Sequence, residues 1–393
     1  DASSNNADLT LASPGTNYSL GANKAIVIDS TIPKTISAGN ETTCAVISDG
    51  TIKCWGNNGA GRLGIGSDVN QNEPGTVVSG INNAREVMAG YQHSCAVLKD
   101  GSAKCWGWGN GTQLGNNDHS NQLTPVSVSN ISSAVKITGG ENSSCALLDN
   151  GSVKCWGKTE YYQLGSDNQN TYQTTPDYVN NLTSAISIEG FSISTCTLLD
   201  NGSVNCWGYG GYGQLGDGVA VMTNGLAYKT NTPVAVSNIT NAAEITMGYF
   251  HACALLDNGT VNCWGKGEYG QLGNGTASTD VVNTPVTVSN IDTAIAISAG
   301  RIHTCAILSD GTVKCWGHGG SGMLGNGSNS NQSTPVSVSN INNAIAISSG
   351  WTHTCALLSD RSIKCWGTGN AGQLGNGSSA DQNTPVLVSG FGG

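Results

Sequence analysis

The stretch CALLDNGTVNCWG, Cys253 to Gly265, contains the pattern from which the fold of this chain can be inferred. Two cysteines stand ten positions apart around an Asn-Gly turn, and Trp-Gly begins immediately after the second cysteine. Alternating apolar residues on both sides of such a turn are the strongest short signal for a β-hairpin. The stretch therefore predicts two short antiparallel strands.

The same pattern occurs seven times and accounts for all 14 cysteines. Successive copies are 50 to 52 residues apart, except for one step of 57. Self-similarity at this period is typical of propellers and other repeat arrays. The cysteine pairs are Cys44 with Cys54, Cys95 with Cys105, Cys145 with Cys155, Cys196 with Cys206, Cys253 with Cys263, Cys305 with Cys315, and Cys355 with Cys365.

One complete repeat, Ala294 to Val338, reads as four strands. AIAISAG predicts an inner strand, a hairpin follows around Asp310-Gly311, and a Gly-rich loop leads to PVSVSN. Pro335 would open that last strand, which suits an outer edge. No stretch has a helical period over a useful length. Four antiparallel strands repeated seven times predict an all-β, seven-bladed β-propeller, in which radial closure leaves only short edges.

The ten-residue spacing of the cysteines suits a cross-strand disulfide. In a three-residue turn with Gly50 left-handed, Cys44 faces Cys54; a two-residue turn would place Cys44 opposite Trp55. Directly opposed Cα atoms lie about 4.5 Å apart, and disulfides accept roughly 4.4–6.8 Å. We expect one disulfide in each blade and an oxidising compartment, extracellular or at the cell surface. The alternative is seven pairs of buried free thiols; zinc is disfavoured because C-x-x-C is absent.

Composition narrows the possible partners. Charged residues make up 11% of the chain and the net charge is −10, which argues against nucleic acid and anionic membranes. The sequence contains no run of about 18 apolar residues, so a membrane-spanning segment is not predicted. The chain has no basic and apolar leader, so we expect a mature chain or a fragment. Because AIVIDSTIP resembles the end of bacterial Ig-like modules, residues 1–33 are expected to be an N-terminal extension or the end of such a module, and 34–393 the propeller.

The segment GRIHTCAILSDGTVKCWGHGGSGMLGNG, residues 300–327, resembles the regulator-of-chromosome-condensation (RCC1-like) repeat. The resemblance covers about 36–389 and implies a seven-bladed propeller. It leaves the function open, because the family includes a nuclear exchange factor, interaction modules and a secreted bacterial propeller that inhibits β-lactamases. The paired cysteines and the acidic balance are closer in character to secreted bacterial members. Two departures are Arg361, in place of the turn glycine, and repeat four, which shifts its glycine to Gly190 and lacks the histidine.

Motifs that suggest catalysis or cofactors have structural interpretations. Matches to G-x-G-x-x-G include residues 59–64, 211–216 and 320–325, but a dinucleotide site needs a following helix, so we expect tight loops. Four histidines stand two residues before a cysteine, and we expect hydrogen-bonded structural side chains at strand starts: His93, His251, His303 and His353. We therefore expect no catalytic residue, no cofactor and no metal site.

The aromatic residues predict a binding face. In a four-strand meander the loop between strands one and two lies on the same face as the loop between strands three and four. Tyr, Trp and Arg are favoured at interface hot spots, whereas the opposite face would carry Asn-Gly turns. The alternative is that these side chains only cover the blade tops. The predicted binding face comprises Tyr91, Trp108, Tyr209, Tyr212, Tyr249, Tyr269, Arg301 and Trp351.

Three functional hypotheses follow. The first is a non-enzymatic extracellular binding propeller, part of an adhesin-like or cell-surface protein, that recognises a protein or a glycan. The second is a subunit that self-associates into a sheath, filament or surface layer. The third, a secreted enzyme inhibitor, rests on the family resemblance alone. The insert in repeat four, residues 217–232, is expected to form a protruding loop.

Overall fold

A computed structural model describes residues 33–167, 170–223 and 226–391. Seven antiparallel sheets follow one another along the chain, and the first strands of neighbouring blades lie against each other around a central channel. The all-β, seven-bladed prediction is confirmed. The module expected over residues 1–33 lies outside the described residues except for Pro33.

The strands are numbered in chain order. Blades 1 to 3 contain β1 (Pro33–Ala38), β2 (Thr42–Ile47), β3 (Ile52–Gly56); β4 (Ala84–Ala89), β5 (His93–Leu98), β6 (Ala103–Gly107), β7 (Gln122–Ser127); and β8 (Ala134–Gly139), β9 (Ser143–Leu148), β10 (Val153–Lys158), β11 (Tyr172–Tyr178). Blades 4 and 5 contain β12 (Ala185–Phe191), β13 (Ser194–Leu199), β14 (Val204–Tyr209), β17 (Lys229–Ala235); and β18 (Ala242–Met247), β19 (His251–Leu256), β20 (Val261–Gly267), β21 (Ser278–Thr287). Blades 6 and 7 contain β22 (Ala294–Ala299), β23 (His303–Leu308), β24 (Val313–Gly317), β25 (Gln332–Ser337); and β26 (Ala344–Ser349), β27 (His353–Leu358), β28 (Ile363–Gly367), β29 (Gln382–Leu387). Two 3₁₀ turns are formed by Gly59–Gly61 and Gly320–Gly322.

The outer strands differ in detail from the sequence-based expectation. In blade 1 the fourth position is filled by two isolated bridges, Lys53 to Val77 and Gly56 to Gln71. In blade 6 the outer strand begins at Gln332, so Pro335 lies inside β25 rather than at its start. Proline is tolerated there because an outer edge needs no amide donor.

The hairpin register confirms the disulfide prediction. Cys44 pairs directly with Cys54, and Gly50 has φ = +86°, as a three-residue turn requires. All seven pairs are bonded and buried, and their Cα atoms are 4.0 to 4.1 Å apart, which is closer than the expected range.

Each bridge joins the second and third strands of its own blade. The blades are therefore cross-linked internally and not to one another. In chain order the bridges are Cys44 to Cys54, Cys95 to Cys105, Cys145 to Cys155, Cys196 to Cys206, Cys253 to Cys263, Cys305 to Cys315, and Cys355 to Cys365.

Neighbouring blades are joined through the buried tryptophan of each repeat. Trp316 Nε1 donates to the main-chain oxygen of Gln271 in the preceding blade at 2.9 Å, and the same bond occurs at all seven blade boundaries. The glycine of each Leu-Gly pair lies against the indole: a Cβ on Gly273 would be 2.7 Å from Trp316 Nε1. The recurring Gly-rich motif thus serves packing, and no helix of useful length follows it in the described chain.

The ring closes without exchange of a strand between the chain ends. Ala38 of β1 donates its amide to Ser348 Oγ of β26 at 2.9 Å. The same kind of bond protects other inner edges, where a side chain of one blade accepts an amide of the next: Ser37 from Ala89, Thr246 from Ala299 and Ser298 from Ser349. Unpaired edge amides are a liability in sheets, so these bonds stabilise the channel wall.

The insert of repeat four contains a pair of short strands in addition to loop. Met222–Thr223 and Leu226–Ala227 form a small hairpin, β15 and β16. The hydroxyl of Tyr228 donates to Asp217 at 2.8 Å across the base of the insert, and residues from Lys229 onward belong to outer strand β17. The expected loop over residues 217–232 is therefore a hairpin whose C-terminal part completes blade 4.

Candidate functional site

The loops between the first and second strands of the blades form a ring around one mouth of the channel. We call the residues that follow the glycine of each loop the channel-mouth ring: Asn40, Tyr91, Glu141, Phe191, Tyr249, Arg301 and Trp351. In blade 4 the glycine is shifted, so Phe191 pairs with Ser194 and lies one position earlier than the other six. Main-chain bonds connect neighbouring loops: the amide of Trp351 donates to Gly39 O at 3.0 Å, and that of Arg301 to Gly350 O at 3.2 Å. Main-chain hydrogen bonds thus hold neighbouring loops together independently of their side chains.

Aromatic side chains of the channel-mouth ring converge over the channel. The ring centroid of Trp351 lies 4.4 Å from that of Tyr91, 5.3 Å from Tyr249 and 6.1 Å from Phe191. These residues belong to blades 7, 2, 5 and 4. Contact between non-adjacent blades is possible only because the side chains point toward the axis. Tyr91, Tyr249 and Trp351 of the predicted binding face therefore lie in one cluster with Phe191.

Arg301 lies beside this cluster. Its guanidinium carbon is 5.0 Å from the Trp351 ring centroid and 5.4 Å from that of Tyr249. Arg301 is exposed, whereas the aromatic side chains are partly buried. The predicted pairing of Arg301 with Trp351 is thus seen in the structure, and it places a cation over two aromatic faces.

A second arm of the cluster runs outward toward blade 3. Tyr249 and Tyr212 each lie 4.1 Å from Phe250, between centroids, and Tyr212 is 5.8 Å from Tyr209. Tyr209 in turn meets the edge of Tyr161 at 5.6 Å. Because these residues come from both kinds of loop, the two loop sets share one face, as expected. We call this continuous set, with the aromatic residues of the channel-mouth ring, the aromatic face.

Two predicted residues stand apart. Tyr269 packs edge-on against His318 at 5.1 Å, and Trp108 makes no ring contact within the described chain. Sequence reasoning overlooked Phe191 and Phe250. Phe191 directly follows the shifted Gly190 in a repeat of unchanged length, so an alignment made on the glycine rather than on Cys196 would have placed it with Trp351 and Tyr249.

A cavity of about 120 Å³ lies beneath the aromatic side chains, bordered by Phe191, Trp351, Glu189 and inner-strand hydroxyls. Glu189 forms a 2.6 Å ion pair with Lys136. Burial lowers the pKa of Lys136, but the charges of Glu189 and Glu86 outweigh it, so the net shift is upward. The channel therefore contains the charged Lys136–Glu189 pair below the aromatic side chains of Phe191 and Trp351.

Two further carboxyls line the channel wall and reach the next blade. Glu86 accepts the amide of Ile137 at 3.3 Å, and Glu244 accepts that of Ile297 at 3.0 Å. Burial raises the pKa of both carboxyls to about 7, because removal from water disfavours the charged form. These groups perform the same edge-protecting role as the serines and threonines above them.

The four histidines that recur at one position of the repeat are structural, as expected. Each Nε2 lies 2.7 to 2.8 Å from a Ser or Thr hydroxyl of the next blade. Burial lowers the pKa of each to about 3, so all four are neutral. In the described ranges, no group of three or more His, Cys, Asp or Glu side chains is arranged to hold a metal ion.

Within the part of the chain that the structure describes, no helix combines the length and the apolar character that crossing a bilayer requires.

Curated relatives align with most of this chain, but the aligned part can be a small share of the relative's own length. The chain is 28% identical over 302 residues to the ultraviolet-B receptor UVR8 of Arabidopsis thaliana, which covers 75% of this chain and 55% of the receptor. It is 28% identical over 299 residues to the human E3 ubiquitin-protein ligase HERC2, which covers 75% of this chain and 5% of the ligase. The chain thus spans about half of the first relative and a small part of the second.

Solved structures share the fold. Human WBSCR16 superposes with a TM-score of 0.72 at 21% identity, covering 85% of this chain and 92% of that one. Prp20p of Saccharomyces cerevisiae superposes with a TM-score of 0.74 at 20% identity, covering 92% and 88%. The regulator of chromosome condensation (RCC1) repeat matches residues 49–97 and 100–147. The RCC1-like domain matches residues 130–393, and the chain therefore belongs to the RCC1-like domain family.

Proposed function

We propose that this chain is a non-enzymatic binding propeller that recognises a protein partner through the aromatic face. The observation that carries the proposal is the continuous contact of aromatic rings from Tyr91, across Trp351 and Tyr249, to Tyr209. Tyr, Trp and Arg concentrate binding energy at interfaces because they bring large contact area with few rotatable bonds. The opposite face carries Asn-Gly turns and Asn-rich connections, which offer no comparable patch.

Relatives of the same fold support a protein as the partner. Prp20p is described together with its binding to Gsp1p and histones, and yeast RCC1 (Prp20) has been solved bound to Kap60. The partner of the present chain is proposed by analogy with these cases, since the fold alone does not carry a function.

The non-enzymatic part of the proposal rests on how the titratable groups are used. The buried histidines bond to the next blade, and Glu86 and Glu244 bond to inner-strand amides. A general acid or base must be able to reach a substrate, and these side chains are held inside the blade boundaries.

The seven disulfides support an oxidising environment, and we propose that it is extracellular or at a cell surface. Each bridge closes a short loop, so by the chain-entropy model each contributes at most about 2–3 kcal/mol to stability. Such cross-links suit a binding module that is exposed outside the cell, as part of a longer surface protein.

Differential capture tests the proposal. Immobilised wild-type protein and the variants Trp351→Ala and Tyr249→Ala are incubated with surface and secreted proteins of the source cells, and captured proteins are quantified by mass spectrometry. Asn342→Ala and Arg361→Gln, on the opposite face, serve as controls. A specific partner should be retained by the controls and lost by both aromatic-face variants, with a fall of about thirtyfold in affinity once it is purified. Neutral aromatic-face variants together with inactive controls would contradict the proposal.

A further inference from the structure

Arg301 differs from the other members of the channel-mouth ring because its side chain is positively charged and has no ion-pair or hydrogen-bond partner among the described residues. It is the one cation of the seven residues and it is exposed. In the described parts of the chain the ion pairs are made by Lys136, Lys158 and Lys266, and none involves Arg301. Its guanidinium contacts aromatic rings but makes no hydrogen bond with a described side chain or carbonyl.

Arg62 provides a contrast within the same protein. It is buried, and it donates through Nε to Gly59 O at 3.1 Å and through Nη1 to Tyr91 O at 3.2 Å. Arg62 therefore uses its donors to hold two loops together. The guanidinium donors of Arg301 are used by no group in the described residues.

The aromatic rings beside Arg301 limit the conformations of its side chain before a ligand binds. Contacts with Trp351 and Tyr249 restrict the long side chain, so less rotamer entropy remains to be lost when a ligand arrives. A guanidinium presents its donors in a planar fork that matches a carboxylate with two parallel hydrogen bonds. Resting on the proposed function, we infer that Arg301 anchors a carboxylate of the partner protein, and that apolar residues beside this carboxylate pack on the aromatic face.

The same ring also restricts where a partner carries its charge. Glu141 of blade 3 accepts a hydrogen bond from Ser192 at 3.3 Å and one from the hydroxyl of Tyr249, whose ring also contacts Arg301, so Tyr249 touches both the negative and the positive group. A second carboxylate near Glu141 would be repelled. We therefore expect the acidic residue of the partner segment to lie beside Arg301 and no second one to lie beside Glu141.

Ring packing favours a peptide over a sugar. Trp351 already contacts three aromatic rings and the guanidinium of Arg301, and most of the contacts along the aromatic face are tilted or edge-on. A pyranose needs an open, flat ring face on which to stack. Irregular ring edges instead suit the branched and aromatic side chains of a peptide.

Selection from a random peptide display library tests the inference with the disulfide-intact protein. The baits are wild type, Arg301→Gln, Arg301→Lys, Trp351→Ala and, as a matched loss of charge on the opposite face, Arg361→Gln. Peptides selected by wild type should be enriched in Asp or Glu next to apolar residues. They should bind Arg361→Gln normally, Arg301→Lys more weakly, and Arg301→Gln at least about tenfold more weakly.

The outcomes separate this inference from the proposed function. Peptides that need Trp351 but bind Arg301→Gln normally would overturn the carboxylate anchor and leave the binding face in place. Failure to obtain any peptide that depends on Trp351 would overturn both. A parallel panel of acidic and neutral oligosaccharides completes the test, since Arg301-dependent binding of an acidic sugar alone would overturn the peptide assignment.

Discussion

His251 Nε2 lies 2.8 Å from the hydroxyl oxygen of Thr304, across the boundary between blades 5 and 6. Because the proton of this hydroxyl is directed to Gln271 O, the imidazole nitrogen is the donor. The hydroxyl of Thr304 in turn donates to Gln271 O at 3.1 Å, and that oxygen also accepts the indole N–H of Trp316. Two blades are therefore connected by one buried chain of hydrogen bonds. Removal of the middle member leaves the imidazole donor unpaired inside the protein.

We expect Thr304→Val to lower the free energy of unfolding by about 1–3 kcal/mol, because a buried donor without a partner carries its full desolvation cost. Urea titration followed by near-ultraviolet circular dichroism measures the change. The exposed Thr293→Val is the matched control and should shift the midpoint little. Equal effects of the two substitutions would contradict the role assigned to the chain of bonds.

Acid should destabilise the protein through the buried histidines. The pKa of His93, His251, His303 and His353 in the folded state is about 3, below the usual 6.5. As the pH falls below 6.5, these histidines bind protons in the unfolded state but not in the folded state. Their contribution to the free energy of unfolding is therefore complete above pH 6.5 and is lost as the pH falls. Each histidine contributes up to about 1.4 kcal/mol per pH unit. Unfolding titrations from pH 7 to pH 5 should show the decline, and His303→Gln should make it less steep.

The channel carboxyls should act in the opposite direction at higher pH. The pKa of Glu86 and of Glu244 is raised from 4.5 to about 7, so the folded state holds a proton that the unfolded state releases. Their contribution is complete below pH 4.5 and is lost as the pH rises through 7. Glu86→Gln should therefore be more stable than wild type at pH 8 by roughly 1–2 kcal/mol, and gain less at pH 5. Thr293→Val, which replaces an exposed uncharged side chain, should show no such difference between the two pH values.

Arg361 occupies a backbone conformation that favours glycine. Its φ is +73°, and the turn glycines at the same position in the other repeats have φ between +79° and +86°. Arg361→Gly should raise the free energy of unfolding by up to about 1 kcal/mol, because the strain of a side chain at positive φ is relieved. Differential scanning calorimetry measures the shift. Gly311→Arg, which introduces the same strain into blade 6, should lower the melting temperature, and a stabilised Gly311→Arg would refute this explanation.

The hairpin of blade 4 should be dispensable for stability. Val219, Met222 and Leu226 are exposed, whereas Tyr228 is partly buried and packs against the core of its blade. Replacement of residues 219–226 by a short Gly-Ser linker, with Asp217 and Tyr228 retained, should leave the melting temperature nearly unchanged. As a contrast, Tyr228→Ala should lower it. A large loss of stability after replacement of the hairpin would show that it packs as part of the blade.

The sequence alone determined the repeated local structure. The position of Gly50 in a three-residue turn is enough to bring Cys44 opposite Cys54, because the register of a hairpin depends only on residues within a few positions. The seven recurrences then imply the propeller. Even the strain at Arg361 could be predicted, because a turn position demands the same backbone angle in every copy.

Only the tertiary structure decided what lies across the channel. Trp351, Phe191 and Tyr91 are far apart in sequence and belong to non-adjacent blades, so their contact depends on how seven blades close around one axis. The partner of His251 in the next blade and the burial of Glu86 depend on the same closure. Repeat periodicity specifies the position of a residue within its blade; its distance from residues in other blades is set by the radius and angle at which packed sheets meet.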